Sequence, residues 1–251
     1  MIALLSIIIV KIYLLLLPTI LKMPFMKLKL QIEMNDALYL RNPEGTELGK
    51  KIIKYSIELI HKNGFESFTF KKLAEEINTT EAGVYRYFEN KHKLLVYLAA
   101  WYWSWISYQI KYHTNNITDA EQKLKRVIKL LAKAVEDDEK TNYVDESRLH
   151  EIIISEGSKA YLTKQVEEDN KQQFFKPYKD LCANIGEIIS AYNPKYKYPK
   201  SLASTIVEMA HFQNFFMYHL PSLTDFGKQK EENDIIDYLN DLVFSSLDRK
   251  K

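Results

Sequence analysis

Two short apolar-faced segments joined by a polar corner, residues 69–95, constrain this chain more than any other stretch. Leu73, Ala74 and Ile77 fall on one face of a first helix, and Thr69 stands where it caps that helix's start. Asn78 tolerates the left-handed backbone of an abrupt stop, and Thr80 is a good N-cap for a second helix. In that second helix Val84 and Phe88 lie four apart and face inward together. That sends Glu81, Ala82, Tyr85 and Arg86 outward. A short exposed helix carrying small, polar and aromatic side chains suits the major groove of DNA, which is wide enough for one helix. A third helix then opens at Lys91, with Leu94 and Leu95 behind it. The spacing predicts a helix-turn-helix.

The flanking sequence supports an all-α chain. Leu48, Ile52, Ile53, Ile57 and Ile60 recur at helical intervals, with Thr46 as cap and Gly64 as stop. Beyond Asn90, Leu94, Leu98, Trp101, Trp105 and Tyr108 form one stripe and Leu95, Tyr102 and Ile106 another, so this helix is apolar around most of its circumference. Leu124, Val127, Ile128, Leu131 and Val135 mark the next, which ends in the acidic run Glu136 to Glu139. A short helix holds Ile152 to Ile154, a long one is expected over residues 163–192, and apolar stripes come after it at 202–220 and 235–247. The organisation reads as an apolar leader (1–25), an extension (26–45), a helix-turn-helix domain (46–95) and a helical domain (96–251).

The leader is nearly charge-free, broken by Lys11 and Pro18. It reads either as a marginal membrane span or signal segment, or as sequence ahead of a later start at Met23, Met26 or Met34. Residues 27–40 alternate apolar and polar with period two, which predicts a short β-hairpin turning at Asn35-Asp36.

Ala74, Thr80, Tyr85, Tyr87-Phe88 and Lys91, in register without a gap, resemble the DNA-binding domain of TetR/AcrR-type regulators. The resemblance covers about a fifth of the chain. It implies a homodimer whose last two long helices, near 200–220 and 234–248, pair with those of a second subunit as a four-helix bundle. Two recognition helices then sit about one DNA turn apart, roughly 34–36 Å, on a near-palindromic double-stranded operator. It also implies a small-molecule effector in the helical domain and, by the family's habit, repression. On this register Thr69, Thr80, Glu81, Ala82, Gly83, Tyr85, Arg86, Tyr87 and Lys91 are the expected DNA contacts. Lys91 is expected at a phosphate, and Tyr85 and Tyr87 at phosphate or sugar, although both tyrosines also fit a small core. Gly83 inside a helix costs about 1 kcal/mol against alanine, which close approach to DNA would explain. The sequence departs from the family pattern at Asn78, where glycine is usual, and at Glu81. A carboxylate at Glu81 repels phosphate but accepts from cytosine N4.

Composition narrows the alternatives. A net charge of +2 over 251 residues does not by itself indicate nucleic-acid binding. No phosphate-cradling glycine motif or nucleophile–base constellation appears, so a helical-bundle enzyme or carrier is the weaker reading and no cofactor is expected. Single Cys182 excludes an internal disulfide and suits a reducing cytoplasm. A membrane-tethered sensor-regulator depends on the leader alone. For an apolar or aromatic effector the expected lining is Trp101, Tyr102, Trp105, Phe174, Tyr178, Phe212 and Phe215. Glu208 and His211, an i, i+3 pair, form a single Glu-x-x-His copy where a di-metal bundle needs two. A polar contact in the pocket or the dimer is therefore expected of them.

Overall fold

The computed structural model describes residues 32–133, 143–227 and 231–248, so the leader, the start of the extension and the acidic run at 136–139 lie outside the described residues. The expected hairpin does not form where it falls within them. Asn35 accepts from the Ala37 amide at 2.9 Å and winds Asp36–Leu38 into a single 3-10 turn. This local side-chain bond overrides the period-two pattern. Leu38 is buried, and Tyr39 packs edge-on against Tyr97.

Three helices come next: α1 (Glu47–Ser67), α2 (Phe70–Glu76) and α3 (Glu81–Tyr85). Each begins where the sequence supplies a threonine cap. Thr46 accepts from Gly49, Thr69 from Lys72 and Thr80 from Gly83, which satisfies one of the orphan amides at each N-terminus. Gly64, expected as the stop, breaks α1 shortly before its end, with φ 75 in a region that β-carbons avoid. Asn78 makes the corner between α2 and α3 at φ 54. Leu73, Val84 and Phe88 are fully buried at the centre of this trio. The extension is stitched across it. At Gly49 a β-carbon would stand 2.2 Å from the Pro43 carbonyl oxygen, so only glycine allows that crossing.

The rest is helical: α4 (Lys91–Thr114), α5 (Ala120–Ala132), α6 (Glu146–Glu156), a 3-10 turn (Gly157–Ala160), α7 (Val166–Lys171), α8 (Lys176–Tyr192), α9 (Pro199–His219) and α10 (Glu232–Leu247). The long helix expected over 163–192 is two. Gln173 takes a left-handed backbone at φ 62, and Pro177 sits in the first turn of α8, where its missing amide costs nothing. Helix α4 is the axis of the molecule: every residue from Leu94 to Trp103 is buried. Helices α5, α6 and α8 pack on it, α9 lies on α8, α5 and α6, and α10 covers α5 and α9. The helix-turn-helix trio joins this body through α1 on α6, and the described residues form one compact unit.

Candidate functional site

Within the trio the structure sorts the expected DNA contacts into two groups. Thr69, Thr80, Glu81, Ala82, Tyr85 and Arg86 are all exposed and lie on or beside α3. Tyr85 is 46% exposed and rests edge-on against Phe70 with ring centroids 5.0 Å apart, which fixes the ring while leaving its hydroxyl in solvent. Arg86 forms no ion pair among the described residues, so its guanidinium is free to meet a phosphate or a guanine edge.

Tyr87, Gly83 and Lys91 are placed otherwise. Tyr87 is only 2% exposed. Its hydroxyl bonds Thr46 Oγ1 at 2.7 Å, its carbonyl accepts from the Leu40 amide at 2.8 Å, and the Arg41 guanidinium covers its ring at 5.5 Å. Tyr87 thus fastens the extension to the trio and offers no surface to DNA. Gly83 is buried, and a β-carbon there would meet Thr79 Oγ1 at 2.9 Å, so the glycine serves the packing of the corner. The Lys91 ammonium donates to the carbonyls of Phe65 (3.1 Å), Glu66 (3.2 Å) and Phe68 (3.4 Å) and lies over the Phe65 ring at 4.7 Å. These carbonyls gather where the chain leaves α1 and converge on one cation, which a lysine ammonium with three donors can answer at once. Lys91 ties the end of α1 to the start of α4.

A second set of polar contacts links the trio to the helical body. Glu156, at the end of α6, accepts from the Phe65 amide at 3.0 Å. Lys159, in the adjoining 3-10 turn, spans Glu156 at 2.7 Å and Glu66 at 2.9 Å. His61 meets Glu151 at 2.7 Å. At the start of α4, His92 and Lys93 approach the buried Asp169 at 3.3 and 3.7 Å. The end of α1 is therefore held from both sides, by α4 and by α6 with its trailing turn.

Of the seven residues expected around an effector, the structure brings together Tyr102, Trp105 and Tyr178. They gather around three side chains the expectation omitted: Trp103, His150 and Tyr161. Trp103 stands 4.9 Å from Tyr102, 4.7 Å from Tyr178 and 5.2 Å from His211. The Tyr102 hydroxyl lies 2.7 Å from His150 Nδ1 and 3.3 Å from His211 Nε2. A phenol has one proton to give, so the hydroxyl can donate to only one of the two rings. Burial pushes His150 down to about 4, and burial together with the neighbouring His150 pushes His211 down to about 3. Both imidazoles are neutral at ordinary pH, as an interior without a counter-charge requires.

Glu208 and His211 share a helix but part company. His211 joins Tyr102, while Glu208 accepts from Tyr178 at 2.6 Å and from Tyr161 at 3.4 Å. The other four expected residues lie elsewhere. Trp101 is buried beside Glu44, whose carboxyl is raised by burial and accepts from Tyr97 at 3.2 Å. Phe174 is buried under the Lys93 ammonium at 3.8 Å. Phe212 is 42% exposed and stacks on Phe216, and Phe215 stacks on His219, both away from the histidine pair. A groove of about 340 Å³ opens between the 3-10 turn, α7 and α8, lined by Tyr161, Val166, Phe175 and Tyr178 among others.

An exposed second helix behind a left-handed corner, carried by a buried three-helix core, is a helix-turn-helix. Residues 52–98 match the family of bacterial regulatory proteins, tetR family, and this chain carries that family's DNA-binding domain. No curated protein matches the chain. Among solved structures, AibR in complex with isovaleryl coenzyme A and operator DNA is similar at 17% identity and a TM-score of 0.55, covering 78% of this chain and 98% of that one. The fatty acid degradation regulator FadR from Bacillus halodurans is similar at 18% identity and a TM-score of 0.51, covering 77% and 96%. A tetR-family regulatory protein from Rhodococcus RHA1 gives 11% identity and a TM-score of 0.57 over 80% and 97%. At these identities the likeness establishes the fold across the trio and the helical body. Among the described residues, no helix is long and apolar enough to cross a membrane.

Proposed function

We propose that this protein is a cytoplasmic, homodimeric transcriptional repressor of the TetR type, which binds a near-palindromic operator and is released by a small molecule held in the helical body. The observation that carries the reading is the coincidence of the family match at 52–98 with an α3 whose outward residues are unencumbered. Thr80, Glu81, Ala82, Tyr85 and Arg86 are the residues that read or grip DNA, with Thr69 at the edge. The last helices suit self-association. Phe212, Tyr218, Leu220, Leu223 and Tyr238, from α9 to α10, are large apolar or aromatic side chains left in solvent by the single chain. Exposed apolar surface of that kind marks an interaction face. AibR, similar in fold, was solved with both operator DNA and an acyl coenzyme A, which supports a shared logic of effector and operator on one chain.

The mechanism rests on how the trio is held. An effector releases DNA only to the extent that it prefers the conformation in which the two recognition helices are wrongly spaced. The contacts at the end of α1, through Lys91, Glu156 and Lys159, are the ones through which a shift of the body turns the trio.

The test is fluorescence anisotropy against DNA from the gene's own upstream region, over a salt series, with random duplex as control. Saturable, salt-sensitive binding that exceeds random duplex is expected. Tyr85→Ala is expected to weaken it by about 1–3 kcal/mol if the ring contacts a base, with Tm nearly unchanged. Glu81→Ala should change base preference more than overall affinity. Absence of preference for any genomic fragment, in a folded dimer, overturns the reading.

A further inference from the structure

We propose that the groove beside Tyr161 and Tyr178 takes an organic cation, a quaternary or bulky alkylammonium, and that its occupancy is passed to the DNA-binding trio through the 3-10 turn Gly157–Ala160. Binding stands on the groove alone; the coupling rests on the regulator reading above.

The groove is walled by two near-parallel tyrosine rings, 12° apart in plane and 6.4 Å between centroids, with Val166 and Phe175 completing an apolar lining. Its volume, about 340 Å³, is at the small end of ligand sites. The hydroxyls of both tyrosines end on one oxygen of Glu208. Glu208 is half-buried in α9 and forms no ion pair among the described residues. Two phenols donating to a carboxylate carry more electron density on their ring faces, and ring faces are what a cation seeks. The charged side chains lining the groove are Glu167 and Lys179, which offset one another, and the Lys179 ammonium is already held by Asn170. Glu208 itself does not line the groove; it acts on it through the two tyrosines whose hydroxyls it holds. Trp103, 4.7 Å from Tyr178, backs the wall and provides a fluorescent reporter.

The position explains how such a ligand is felt at DNA. Tyr161 closes the 3-10 turn, its amide donating to the Ser158 carbonyl at 3.2 Å. The same four-residue turn carries Lys159, bonded to Glu66, and comes directly after Glu156, bonded to the Phe65 amide. A ligand that moves the Tyr161 ring pulls on the residues that grip the end of α1.

The experiment is calorimetric titration of the full chain with benzyltrimethylammonium, set against its uncharged carbon isostere neopentylbenzene, with tryptophan fluorescence as a second reading. One site per protomer is expected for the cation, and affinity at least about tenfold weaker for the isostere. Glu208→Gln should weaken cation binding about tenfold, because it removes the carboxylate that draws the protons of both tyrosines and enriches their ring faces. Tyr178→Phe, which keeps the ring and removes one donor to Glu208, guards against a Glu208 variant that fails to fold and should weaken binding by a smaller factor. Equal binding of cation and isostere, unchanged affinity in both variants, or no heat at millimolar cation overturns the site. For the coupling, operator affinity is measured first without cation, which tests the regulator reading separately. Cation should then weaken it, and Lys159→Ala should blunt that effect while leaving cation affinity unchanged. Intact operator binding that ignores bound cation overturns the coupling.

Discussion

Removing the Lys91 ammonium separates two roles that one residue type in one place can serve. Its three carbonyl acceptors at 3.1, 3.2 and 3.4 Å and the Phe65 ring at 4.7 Å make it the clasp between α1 and α4. Hydrogen bonds involving a charged group contribute roughly 1.5–3 kcal/mol each when well buried, and a cation over a ring about 0.5–1 kcal/mol. Lys91 is only partly buried, its three bonds share one ammonium, and ordering the stem costs up to about 2 kcal/mol. A net loss of about 2 kcal/mol is the reasonable size for Lys91→Ala. For a chain of this length that is a fall in Tm of roughly 4–8 °C, read by thermal denaturation at fixed protomer concentration. Lys91→Met, which keeps the stem against Phe65, should recover less than half of it. The salt dependence of operator binding supplies the opposing test. A lysine on a phosphate contributes about 0.9 to the slope of log affinity against log salt, whereas a lysine committed to carbonyls contributes nothing. An unchanged Tm together with a slope reduced by about one would refute the clasp and restore the phosphate contact.

Three further outcomes are expected from the described contacts. Tyr87→Phe should cost about 1 kcal/mol through the lost bond to Thr46, with operator affinity at the native temperature unchanged; a selective loss of DNA binding would return Tyr87 to the interface. Stability should fall with acid. His150 and His211 are held below the ordinary histidine value, so the unfolded chain binds protons that the folded chain refuses. Their contribution is complete above pH about 6.5 and is lost as pH drops toward 4 and then 3, at on the order of 1 kcal/mol per pH unit for each histidine. Urea midpoints that stay flat from pH 7 to 5 in the wild type, or that keep falling in the His150→Gln/His211→Gln double variant, would contradict neutral burial. Phe212→Glu should shift sedimentation toward the monomer and weaken operator binding; a persistent dimer would place the interface elsewhere.

What the sequence made legible was local. The three threonine caps, the left-handed Asn78, the stop at Gly64 and the inward pair Val84 and Phe88 depend on neighbours within four residues, and each stands as its pattern predicts. The structure departs from the pattern where distant residues decide. Tyr87 and Lys91 have the composition of DNA contacts, but their partners Thr46 and Phe65 lie 41 and 26 residues away. The omitted His150 has the same cause, since its partner Tyr102 is 48 residues off. The broken long helix is a different failure, because Pro177 was a visible signal: a helix running through it would lose a hydrogen bond and crowd the Gln173 carbonyl. Aromatic content alone did not separate Tyr178 from Phe212. Both sit in helices rich in rings, and only the packing of α8 on α4 turns one inward.

The extension has a consequence in time as well as in space. Asn35 donates to the Gln172 carbonyl at 2.8 Å, 137 residues further along the chain. At a synthesis rate of about 5–20 residues per second, Asn35 leaves the ribosome roughly 7–27 s before that partner exists. Its neighbours Leu40 and Thr46 find Tyr87 much sooner. The recognition trio can therefore close over its own core while the helical body is still being made, and the last stitch of the arm is tied only after α7 has emerged.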